Sequence, residues 1–194
     1  MKRLCSIVLL VLPALAAAPE LEFTLAHNDK AEIATRDQLV RLLGQYDVSD
    51  LIWTHQIAID SRAMPHSQPV LTLSTRFQKQ DKQLLATFVH EEYHWYEAKH
   101  RADTDAAIGE LRRSWRLLPV GAPEGAEDED SSYLHVITCY SEYQMLKRLL
   151  GEGEARKVME FWSNDHYKAI YKLVMSEETA VGAIVRRHGL WPPQ

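Results

Sequence analysis

Apolar and polar positions alternate in the first part of the chain and settle into helical stripes in the rest. Leu21-Glu22-Phe23-Thr24-Leu25 alternates with period two and predicts a short strand. Thr35 to Gly44 reads as a helix, with Thr35 as its cap and Leu39, Leu42 and Leu43 as its stripe. Leu51 to Ile59 has strand character, Ser61 to Gln68 is a loop around Pro65, and Val70 to Thr75 is a β-branched, alternating strand. Residues 81–99 contain no Gly and no Pro and predict one helix. Pro119 to Gly125 holds two prolines and two glycines, the mark of a turn-rich linker. Helices are predicted over Ser131–Leu150, Glu154–Met175 and Glu177–Arg187. Gly151 ends the first of these, and Gly189 follows the last. Strands early and helices late predict an α+β fold, a small N-terminal sheet packed on a predominantly helical body.

The first residues change the picture of the mature chain. Met1-Lys2-Arg3 is basic, Leu4 to Leu12 is almost wholly apolar, and Ala14 to Ala18 follows Pro13. This pattern predicts a signal peptide over residues 1–16, cleaved after Ala16, and a single domain over 17–194. The apolar run is shorter than the roughly 20 residues of a membrane helix, so no span is expected after cleavage. The expected location is secreted or periplasmic. Loss of Lys2 and Arg3 takes the formal charge from −5 to −7. An acidic domain with no clustered Lys/Arg stripe excludes a nucleic-acid partner from the expectation. Cys139 is the one cysteine past the signal segment, so no internal disulfide is expected. Glu127 to Asp130 lacks the alternating ligands and central Gly of a calcium loop, and reads as negative charge at a helix N-terminus.

Residues 90–94 read His-Glu-Glu-Tyr-His. On a helix, His90 and His94 share a face and can converge on one ion. Glu91 can then reach a water on that ion and act as its general base. Two imidazoles and a carboxylate suit Zn2+. A hydrolytic zinc site needs a third protein ligand. His100 has the spacing of the metzincin pattern, although Glu97 stands where that pattern turns on a Gly. Glu142 is the preferred candidate. It shares a helical stripe with His135 and Cys139, and a carboxylate facing inward among apolar neighbours needs a partner. The alternative places His135 on the metal and Glu142 behind a ligating imidazole. His166 or Tyr167 is a candidate proton donor to an oxyanion.

The motif helix and the later helix carrying Glu142 resemble the gluzincin branch of the zincin metallopeptidases. The chain is also similar to small uncharacterised secreted bacterial proteins with a His-Glu-x-x-His-Trp segment. The gluzincin resemblance implies a zincin-like, metalloprotease-type domain over residues 17–194. It implies a twisted sheet over the site helix and an edge strand, Val70–Thr75, that binds substrate. It implies a zinc-dependent peptidase acting on a peptide or protein, with metal ligands His90, His94 and Glu142 and catalytic Glu91. By the same resemblance His135 would donate to the oxyanion, beside His166. A non-catalytic zinc-binding or interaction protein of the cell envelope is the competing expectation.

Overall fold

A computed structural model describes residues 20–191. The predicted signal segment and Pro192-Pro193 lie outside the described residues. The expected α+β division holds. Among the described residues there are three strands, β1 (Glu22–Leu25), β2 (Gln56–Ile59) and β3 (Leu71–Leu73), and seven α-helices. The helices are α1 (Lys30–Gln45), α2 (Asp81–Lys99), α3 (Arg101–Ser114), α4 (Glu129–Leu150), α5 (Glu152–Asp165), α6 (Lys168–Ser176) and α7 (Glu178–Arg187). The strands form one parallel sheet in the order β1-β2-β3. Parallel pairing of β1 and β2 needs a crossover, which α1 supplies while packing on both strands.

Helix α1 starts earlier than the sequence suggests. Asp29 is its cap, accepting from the Ala31 and Glu32 amides at 2.8 and 2.9 Å, and Thr35 is buried inside the helix. Segment 51–59 is strand only from Gln56, after a short 3-10 turn at Ser49–Leu51. The reason is Glu92, whose Oε2 accepts the Trp53 and Thr54 amides at 2.8 and 3.1 Å and holds them out of the sheet. Glu92 is fully buried, and burial pushes its carboxyl up to about 7. Glu92→Ala would leave two inward-facing amides without their acceptor. We expect it to lower stability by about 2–4 kcal/mol, measured by urea unfolding.

Strand β3 lies at a sheet edge, where the resemblance places a peptide-binding strand. Its outward-facing backbone pair is already taken: Thr72 donates to the His66 carbonyl at 2.8 Å and accepts from the His66 amide at 3.0 Å. Residues around His66 thus close the centre of that edge to strand addition.

Helix α4 is the axis of the helical body and packs against α2, α3, α5, α6 and α7. Asp128 caps it by accepting the Ser131 amide at 2.7 Å, and Gly151, with φ of 82°, ends it. From Ser132 to Leu146 it is buried on nearly every side, as a central helix must be. Helix α3 has only Thr104, Ala107 and Leu111 as its buried stripe, too weak a signal to predict it. Among the described residues no helix is long and apolar enough to cross a membrane.

The expected helix over 154–175 is two helices. It breaks at His166-Tyr167, with Tyr167 in the left-handed region at φ of 46°. The linker causes the break. The Pro123 and Glu124 carbonyls accept the Lys168 and Ala169 amides at 3.0 and 3.1 Å, satisfying the first turn of a new helix. The break carries His166 and Tyr167 onto the wall of a cavity.

Candidate metal centre

Helices α2 and α4 pack directly and bring three imidazoles together. His90 and His94, one turn apart on α2, have ring centres 5.0 Å apart. His135 of α4 lies 5.5 Å from the first ring and 4.9 Å from the second. One potential ligand atom from each of His90, His94 and His135 lies within 4.8 Å of the other two.

Hydrogen bonds set which nitrogens are free. His90 Nδ1 donates to Glu142 Oε2 at 2.9 Å, and that oxygen also accepts from the Tyr171 hydroxyl at 2.9 Å. His94 Nδ1 donates to Glu97 Oε2 at 2.9 Å, while Glu97 Oε1 accepts from the Thr138 hydroxyl at 2.7 Å. His135 Nδ1 donates to the Ser131 carbonyl at 2.7 Å. A carbonyl can only accept, so His135 carries its proton on Nδ1 and its lone pair on Nε2. The two carboxylates orient the other rings in the same way. Every Nδ1 is braced from behind, and the Nε2 atoms have no protein partner among the described residues. This is how ligating histidines are held in metal sites.

Burial favours the neutral ring at His90 and His135. Burial pushes His90 well below its ordinary value and His135 down to about 3. Burial also lowers His94, but the hydrogen bond and charge of Glu97 outweigh it and raise that ring overall. Burial pushes Glu91 up to about 7 and Glu142 up to about 8. Glu91 lines the cavity with His90, His94 and His135.

The remaining candidates fall elsewhere. Glu142, expected as the third ligand, sits at His90 Nδ1 and forms a second close grouping with His90 and Cys139. That grouping is fully buried, and burial holds the Cys139 thiol well above its ordinary value, so it stays protonated. His100 does not reach the site. The chain stays helical past Glu97 to Lys99, so His100 follows the helix, bonding the Tyr96 carbonyl through Nδ1 at 2.9 Å and packing on the Tyr96 ring. His166 lines the cavity outside the three-imidazole cluster, with Nδ1 on Asp165 at 2.9 Å. Asp165 is in turn paired with Arg76.

Sequence reasoning missed Glu97, Thr138 and Tyr171 as members of the site. Glu97 carried a usable signal, since a carboxylate three residues after His94 lies on the same helix face. The Tyr167 ring lies 4.2 Å from His135, and burial pushes its hydroxyl up to about 12, so it remains a donor.

Comparison with family models, with curated proteins and with solved structures finds no match.

Proposed function

We propose that the chain is a zinc-dependent hydrolase of amide bonds, a peptidase in the broad sense, with His90, His94 and His135 as metal ligands. The observation that carries this is the set of three buried imidazoles braced at Nδ1 beside Glu91 on a cavity wall. Three imidazoles are among the donor sets of catalytic zinc, and they suit zinc better than magnesium or calcium. When bound, the ion would polarise a substrate carbonyl and acidify an attacking water. Glu91 takes the proton from that water and delivers it to the leaving amine. Tyr167, on the same cavity wall, donates to the oxygen that becomes negative, whereas His166 keeps its proton on Nδ1 against Asp165 and offers none. Glu142 and Glu97 hold two of the rings in register. The order of elements, a small sheet, then the motif helix, then a helix with the third ligand, supports the zincin-like assignment. The ligand set differs from the gluzincin pattern in having His135 in place of a carboxylate. The basic and apolar N-terminus supports secretion or a periplasmic location.

Metal binding is tested by zinc titration of chelator-treated protein. One equivalent should bind, and a ligand at a thousand times its Kd adds roughly 4 kcal/mol to stability. For a domain of this size that is a rise in Tm of about 8–16 °C. An unchanged Tm and no bound zinc would refute the proposal. Zinc bound at one equivalent with no cleavage across a broad peptide library would favour the non-catalytic zinc-binding alternative.

A further inference from the structure

Two cavities meet at the imidazole cluster, and their walls differ in chemistry. The first, about 580 Å³, holds Glu91 and is walled by Phe77, Trp162 and Tyr167. Ala86 and Thr87, one turn before His90 on α2, give it a floor of small side chains. Met64, 74% exposed, stands at its mouth. The second, about 770 Å³, lies beyond His94 and is bordered by Arg101, Asp105, Arg112 and Asp130. Arg101 pairs with Asp105 at 3.0 Å and Arg112 with Asp130, while Glu97 and Asp128 add further carboxylates, so this wall is charged and on balance acidic. His94 and Ser67 border both cavities, and Trp95 Nε1 fixes the divide by donating to the Ser67 carbonyl at 2.9 Å.

We infer that the substrate carries a bulky aromatic or aliphatic group beside the reacting carbonyl, seated in the first cavity, while its polar chain continues across the His94–Ser67 divide. This rests on the zinc-site reading above. An apolar group gains free energy where apolar walls replace water, and the first cavity offers the rings of Phe77, Trp162 and Tyr167, whereas the second sets Ile108 and Leu134 among charged side chains.

The test uses hydroxamates, which bind zinc with one head group and differ in their tails. Zinc-loaded protein is titrated calorimetrically with acetohydroxamate, 3-phenylpropionohydroxamate and a carboxylate-ended analogue of similar length. The phenyl tail should tighten binding by about tenfold to a hundredfold over acetohydroxamate, as burial of one ring does, and the carboxylate tail should not. Thr87→Phe should remove the gain by filling the floor. Ala122→Trp, on the exposed rim of the same cavity, should do so without touching the core. Equal affinity for all three probes, or a phenyl gain that survives both substitutions, would overturn the substrate class and leave the zinc site standing. Failure to load zinc would overturn both.

Discussion

Glu91→Gln is expected to keep one equivalent of zinc and to lose at least about a thousandfold in turnover, the upper part of the range for a positioned general base. Glu91 follows His90 on α2 and faces the same cavity, yet it makes no part of the bracing that holds the rings. Glutamine keeps the shape and the polar contact but cannot accept the proton. Metal content and rate should therefore separate cleanly. A variant that loses zinc would make Glu91 a ligand, and one that keeps its rate would remove it from the chemistry. The adjacent Glu92 is the natural control for effects of local charge. It lies off the cavity wall and holds the Trp53 and Thr54 amides.

The second large effect distinguishes ligand from brace on α4. His135→Ala removes one of three metal-binding nitrogens and should weaken zinc binding by about a thousandfold or more, because each ligand supplies several kcal/mol of the total. Glu142→Ala removes a hydrogen bond behind His90 and should cost only about ten- to a hundredfold in affinity. Competition with a chromophoric chelator reads both values on one scale. If the order were reversed, Glu142 would be the ligand and His135 the supporting group.

The placement of His135 beside His90 and His94, with Glu142 at His90 Nδ1, shows where the sequence stops being informative. The stripe of His135, Cys139 and Glu142 on one face of α4 was legible from their spacing, and so was the inward pairing of His90 and His94 on α2. Which of two side chains, two turns apart on α4, stands level with the His90–His94 pair depends on the axial offset between two packed helices. No local pattern records that offset. The bounds of α2 were legible because nothing in 81–99 interrupts a helix. The division of 154–175 into two helices was not, because no Gly or Pro marks it and the amides of the new first turn are satisfied by carbonyls more than forty residues earlier in the chain. The short β2 has the same origin, a side chain from α2 taking amides that an isolated segment would offer to a neighbouring strand. The α+β division itself followed from periodicity alone.

The three imidazoles belong to two helices separated in the chain by all of α3 and the proline-rich turn. A cation gripping both would work as a removable staple, shrinking the conformational freedom of everything strung between its two ends. Occupancy would then be legible far from the rings, as slower amide exchange along residues 100–128.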